Sequence, residues 1–241
     1  MSTTVSGVPA NRPESLADDI AGMGSFFIDP AGAARRIFHK WFWLGPLVVV
    51  SVIAAITIYL RMPLTQHVLE VTPPRGNMSP EQYQRTIDIS MMMQRIFMYL
   101  SPVLTGILIA VQALILLGMC SVLTVGAKFR SLFNLVAGCS LIQSLAAIAS
   151  VVILRAKGEA STMAELNPPL GLDIFLSEGT NKYLMGFLGF FSLFQIWWAV
   201  MMVLILSVAF RISKGKAFAI VFPLLLLGLI FRLVGAMFQG G

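Results

Sequence analysis

Along most of this chain apolar residues do not alternate with polar ones but run together. Five stretches, 43–60, 97–124, 132–154, 184–210 and 217–238, carry almost no charge. At 1.5 Å per residue each reaches about 25–40 Å, against a hydrocarbon core of about 30 Å. The pattern predicts five membrane-spanning helices, of which the second and fourth are long enough to tilt or protrude. Ahead of the first span, "IDPAGAARRIFHKWFW" places Ala34, Ile37, Phe38, Trp41 and Phe42 at helical spacing, with Arg35, Arg36, His39 and Lys40 between them. Asp29 is a capping residue and Pro30 suits a first turn. These signals predict a short helix lying in the cytoplasmic headgroup layer and running into the bundle; the alternative is an ordinary start to the first span with snorkelling cations. Further on, "NMSPEQYQR" holds Ser79 followed three residues later by Gln82, a capping box. The second helix is therefore expected to begin outside the membrane and enter it near Phe97. "TPPRG", Thr72–Gly76, reads as a turn. Residues 1–24 read as a disordered cytoplasmic tail and 25–241 as one membrane domain. The predicted class is all-α: a polytopic bundle of five transmembrane helices with a short N-terminal amphipathic interfacial helix.

Composition strengthens this picture. Charged residues make up 12% of the chain and hydrophobic ones 57%, where a soluble domain carries about 25% charged residues. The net charge of +6 comes without a basic patch interleaved with exposed aromatics, so nucleic acid is not an expected partner. Anionic lipid headgroups are. Positive charge is concentrated in the short connections and just before the first span: Arg35, Arg36 and Lys40, then Lys128 and Arg130, then Arg211, Lys214 and Lys216. The longer loops, 61–96 and 155–183, mix Arg and Lys with Glu and Asp. Positive charge near span ends marks the cytoplasmic side, which predicts an inside N-terminus, a cytoplasmic basic surface made of those eight residues, and an outside C-terminus. The first 22 residues are polar and acidic where a signal peptide is basic and then apolar, so the first span is expected to be retained. Cys120 and Cys139 both fall inside apolar runs, as packing residues rather than a disulfide or metal pair.

The deep polar residues are Gln112, Asn134, Ser140, Gln143, Ser144, Ser192 and Gln195, all uncharged. A proton-coupled carrier or paired-acid protease needs ionisable groups on its path, so no catalytic, cofactor-binding or metal-ligating residue is predicted. Unpaired amides in hydrocarbon are costly. Gln112, Asn134, Gln143, Gln195 and Trp197 are therefore read as helix-packing or partner-contact positions, a polar pocket built from the amides being the alternative. Gly106, Gly118, Gly138, Gly186 and Gly189 are expected to allow close helix approach. Within "FFSLFQIWW", Ser192, Gln195 and Ala199 recur at helical spacing as a packing stripe, and Trp197 and Trp198 point about 100° apart, one inward and one toward lipid or a partner. Arg232 is the one cation expected within a span, near its outer end, and should snorkel outward.

The order of these features resembles a known family. A Pro-led basic helix, "DPAGAARRIFHKWFWLGPL", leads into the first span, "KFRSLFNLVAGCSL" joins the second to the third, and "LFQIWWAVMMVLILSVAFRISKGKAFAI" forms the fourth span and its basic turn. Over residues 25–238 this is similar to the Yip family of Ypt/Rab-interacting membrane proteins, in particular its bacterial branch. The match is clearest at Leu193, Phe194, Ile196 and Trp197, then at Lys214, Gly215, Lys216 and Ala217. The resemblance implies five spans, a cytoplasmic N-terminus and a non-enzymatic role. Ser192 stands where relatives often carry Asp, and the Asp-Leu-Tyr-Gly-Pro-type motif of eukaryotic members is missing, so a Rab-type GTPase is not an expected partner.

The functional expectation is a non-enzymatic protein of the bacterial cytoplasmic (inner) membrane, without cofactors, that scaffolds or organises other membrane proteins or copies of itself. The alternative is a membrane accessory subunit of an export or ABC-type transport complex, whose energy source would be another chain.

Overall fold

The computed structural model describes residues 16–72, 79–158, 160, 162, 165–176 and 180–238. Among these, eight α-helices follow one another: α1 (Leu16–Ile28), α2 (Pro30–Arg36), α3 (Leu44–Val71), α4 (Pro80–Val122), α5 (Phe129–Lys157), α6 (Lys182–Phe190), α7 (Leu193–Phe210) and α8 (Lys214–Phe238). A single 3-10 turn, Leu172–Phe175, precedes α6. Helices α3, α4, α5, α7 and α8 are each long and apolar enough to cross a membrane, the five spans read from the sequence.

Local signals account for several boundaries. Asp29 Oδ1 accepts from the N–H groups of Ala31 and Gly32, and Pro30 opens α2. Ser79 and Gln82 form the reciprocal capping box at the start of α4. At 43 residues, α4 is about 65 Å long, twice the hydrocarbon core. Its first turns are fixed to the end of α3 by Tyr83, whose hydroxyl meets the carbonyl oxygens of Leu69 and Thr72 at 2.5 and 2.6 Å. From residue 73 the turn expected at Thr72–Gly76 lies outside the described residues.

Helix α5 is the axis of the bundle. Half of its most apolar window is buried, against 11% for α3, and it packs on α3, α4 and α7. Leu132, Leu135, Val136, Ile142, Leu116, Met202, Ile205, Leu206 and Ile220 form one apolar core. Cys120 and Cys139 are free thiols inside it, as their apolar surroundings in the sequence suggest.

Three expectations need correction. The first concerns the fourth apolar run, 184–210, which is two helices. The chain breaks after Phe190, and Ser192 caps α7 by accepting from the Gln195 N–H at 3.1 Å. Ser192 thus starts α7 as its N-cap rather than lying within one long helix, and α6 packs on α8 instead of continuing α7. The second concerns the first span, which runs past residue 60 to Val71 and carries Arg61 and Pro63 within the helix. Arg232 is accordingly not the one span cation. The third concerns the segment before the first span, where the helix is only Pro30–Arg36 and residues 37–43 form turns. Ala33, Ala34 and Ile37 are buried, and α2 packs on α7, so the short helix is docked into the bundle.

Residues 1–15 of the expected tail lie outside the described residues, whereas Leu16–Gly24 belong to α1. The end of α1 enters the bundle. Phe26 is fully buried, its ring stacked on Phe42 at 5.2 Å and pressed against the bare Cα of Gly138.

Candidate functional site

Most of the deep polar residues fall into two arrangements. The first ties down the N-terminal segment, from Asn134 near the basic start of α5 to Trp197 near the start of α7. Asn134 is completely buried on α5. Its Oδ1 accepts from the Trp43 N–H at 3.1 Å, and its Nδ2 donates to the carbonyls of Ile37 and His39 at 2.8 and 2.7 Å. Residues 37–43 are not helical, so these backbone groups lack intrahelical partners, and one amide satisfies three of them. Trp197 performs a related task from α7. Its Nε1 donates to the Phe27 carbonyl at 2.9 Å, at the end of α1, and its ring lies against the Phe27 ring. Trp198 is buried. The indole expected to meet lipid or a partner chain therefore meets the chain's own N-terminal helix. Around this docked segment Arg35, Lys40, Lys128, Arg130, Arg211 and Lys214 are exposed, and Arg36 and Lys216 are half-buried. Lys40 Nζ sits over the Trp41 ring at 5.4 Å.

The second group faces a cleft of about 240 Å³ between α5, the break separating α6 from α7, and α8. Gln143, Ala146 and Ser150 line it from α5, one helix face at spacings of three and four. Ser192 and Gln195 line it from the start of α7, Asn167 from the preceding loop and Arg232 from α8. Gln143 Nε2 donates to Gln195 Oε1 at 2.9 Å, so the two amides both tie α5 to α7 and give the cleft a polar wall.

Arg232 does not simply reach outward. Its guanidinium lies 3.6 Å from Asp173 Oδ2, over the Cα of Gly189, where a Cβ would stand 2.2 Å from Nη2. Asp173 is 10% exposed and Arg232 46%. The Gly171 N–H donates to Asp173 Oδ1 at 2.9 Å, and Gly171 pairs with Ser192 through the backbone. A Cβ on Gly171 would come within 2.8 Å of the Gly189 carbonyl. Two glycines thus let the 170s loop, α6 and α8 close around one ion pair. Behind the cleft, Arg61 of α3 donates through Nη2 to the Ser150 hydroxyl, and Arg155 of α5 donates to the Leu60 carbonyl at 2.6 Å. Arg61 was not legible as a site residue because its charge ends the hydropathic run at residue 60.

Gln112 is half-buried on α4 and lines neither arrangement. Of the glycines expected at close approaches, Gly138 and Gly189 hold such positions, whereas Gly106 and Gly118 face open space. Among the described residues there is no cluster of three or more His, Cys, Asp or Glu side chains that could hold a metal ion.

Comparison with known families gives one decisive observation: the model of the Yip1 domain matches residues 23–235. The chain belongs to the Yip1 family. Searches of curated proteins and of solved structures each return no significant match. The Yip1 match begins inside α1 and ends in α8 beyond Arg232, so both polar groups lie within the family domain. Its start at residue 23 takes in Phe26 and Phe27, the part of α1 that docks.

The amide pair gives a small and checkable expectation. A side-chain hydrogen bond between membrane helices contributes on average about 0.6 kcal/mol, and Gln143 and Gln195 are only half-buried. Gln195→Leu is expected to lower stability in a detergent unfolding titration by no more than about 1 kcal/mol, leaving the Yip1 bundle folded.

Proposed function

We propose that this Yip1-domain protein is a non-enzymatic membrane organiser of the bacterial branch. In this reading it lies in the cytoplasmic membrane with its N-terminus inside, and it holds partner proteins, or copies of itself, against the inner leaflet. The observation that carries the reading is the exposed basic rim of Arg35, Lys40, Lys128, Arg130, Arg211 and Lys214 around a docked N-terminal segment. Cations on a flexible tail offer only a diffuse attraction. Arg35 and Lys40 sit on a segment tied down by Asn134 and Trp197, and the other four sit at the ends of α5, α7 and α8, so all keep fixed spacings, which a partner can match with complementary charge. The same charges favour the cytoplasmic leaflet, with its anionic lipids.

The test is crosslinking in native membranes followed by purification in mild detergent. Lys128→Glu, Arg130→Glu and Lys214→Glu together are expected to reduce recovery of crosslinked partners by about tenfold, the equivalent of about 1.4 kcal/mol, with the monomer still folded. Equal recovery from both proteins would defeat the reading.

A second reading, an accessory subunit of an export or ABC-type complex, is favoured by the polar cleft at the opposite end, which gives the bundle a hydrophilic surface within its apolar walls. Co-purification of an ATPase or permease through contacts at that end, insensitive to the basic-rim variants, would favour it over the first.

A further inference from the structure

We propose that the cleft lined by Arg232, Ser150, Gln143 and Gln195 seats a phosphate ester at the membrane boundary opposite the basic rim. The inference is independent of the organiser reading, because it concerns other residues at the other end of the bundle.

Position comes first. Counting 1.5 Å per residue, Arg232 lies about 27 Å along α8 from Lys214, and Arg61 about 26 Å along α3 from Leu44. Ser150 lies about 32 Å along α5 from Phe129. With a hydrocarbon core of about 30 Å, three separate helices bring these residues to the level where headgroup phosphates lie. Arg61 and Ser150 are hydrogen-bonded there, and Ser150 shares the cleft with Arg232.

The chemistry of the walls selects the ligand. Three kinds of donor converge. Arg232 is half-exposed, and its contact with Asp173 at 3.6 Å orients the guanidinium without occupying its whole fork of five N–H groups. Ser150 Oγ accepts from Arg61, which leaves its own hydrogen to donate into the cleft. Gln195 uses its oxygen to receive Gln143, which leaves its NH₂ as a donor. The amino end of α7 begins at the same wall, at Ser192, and adds a partial positive charge. Asp173 balances Arg232, and the guanidiniums of Arg61 and Arg155 behind the cleft leave the surroundings net positive, the complement of a phosphodiester monoanion. The volume of about 240 Å³ is below the range of about 300–1,000 Å³ for pockets that take drug-sized ligands, and it suits a single small polar group with the rest of the molecule outside. Asp173 lies behind the guanidinium, held by the Gly171 N–H, and serves to aim Arg232.

A phosphate ester can come from a phospholipid headgroup or from a soluble ester, and the experiment separates the two. Full-length protein in detergent is examined by native mass spectrometry with phosphatidylglycerol, with diacylglycerol of the same acyl chains, and with phosphatidylglycerol in competition with glycerol phosphate. The expected result is a phosphatidylglycerol adduct that the Arg232→Gln/Asp173→Asn double variant weakens by about tenfold or more, the loss of a charge-assisted hydrogen bond. The double change leaves no orphan carboxylate. Loss of the adduct on adding glycerol phosphate supports the site with a soluble ester as its source, and persistence supports it with the lipid. Equal adducts in wild type and variant, or diacylglycerol retained as strongly as the phospholipid, overturn the proposal. Should the double variant fail to fold, Ser150→Ala and Gly189→Ala are read in the same assay. The first removes a donor and the second drives a Cβ into Arg232; full retention by both overturns the proposal as well.

Discussion

Asn134→Leu is expected to be the most damaging single polar substitution in the bundle, lowering stability by about 3 kcal/mol or more. An average interhelical hydrogen bond in a membrane contributes only about 0.6 kcal/mol, so the larger figure needs a reason. That average holds where the separated partners find other partners. Here the partners are the Trp43 N–H and the Ile37 and His39 carbonyls, which lie in a non-helical segment against a completely buried side chain. Leucine would leave all three unpaired, the Ile37 carbonyl fully buried and the other two partly so, at about 1–3 kcal/mol for each buried group left without a partner. Asn134→Asp separates the contributions. It keeps the acceptor for Trp43 but opposes two carbonyls with a carboxylate oxygen, and it should be nearly as damaging. The measurement is reversible unfolding in mixed micelles. A loss below about 1 kcal/mol for Asn134→Leu would show that the segment repairs its own hydrogen bonds.

Gly138→Ala is expected to expel Phe26 and free the N-terminal helix while the five spans stay assembled. A Cβ at position 138 would stand 2.2 Å from Phe26 Cε1 and 2.5 Å from Cζ, distances that no rotamer adjustment of a stacked ring absorbs. Overpacking of this kind costs about 1–3 kcal/mol if the ring stays, and leaving forfeits the burial of a Phe side chain, about 1.5–3 kcal/mol. Either way the penalty falls on α1, whose remaining ties to the bundle include the Trp197 hydrogen bond and the Phe27–Trp197 ring contact. Limited proteolysis of purified protein should therefore cut between residues 16 and 30 at least tenfold faster in the variant, with the fragment from Leu44 onward intact. Phe26→Leu combined with Gly138→Ala makes room for the added methyl and should restore much of the protection. Protection in the single variant equal to wild type would refute the close approach.

How much of this could be read from the chain depends on the distance over which each cause acts. Spans are legible because a run of about twenty apolar residues has no other stable place. Caps are legible because Asp29 and Ser79 act within three residues of themselves. The break at Ser192 had a signal of the same kind, a hydroxyl three residues before a glutamine, but apolar residues on both sides kept hydropathy high across it. Helix α1 was masked by Asp18, Asp19, Gly22 and Gly24, although Leu16, Ile20, Met23 and Phe27 recur at helical spacing. The fates of Arg61 and Arg232 depend on Ser150 and Asp173, 89 and 59 positions away. Nothing local to either arginine encodes that partner, so snorkelling was the natural expectation for Arg232.

The hydrogen bond from Trp197 to the Phe27 carbonyl joins residues 170 positions apart, and that separation sets a timetable. At about 5–20 residues per second, a ribosome needs about 9–34 s to pass from one to the other. Throughout that interval the N-terminal segment exists without its main tryptophan anchor, and Gly138 and Asn134 emerge before it. Docking of the segment is therefore a late event in the biogenesis of the protein, with the α5 contacts available before the α7 contact that completes them.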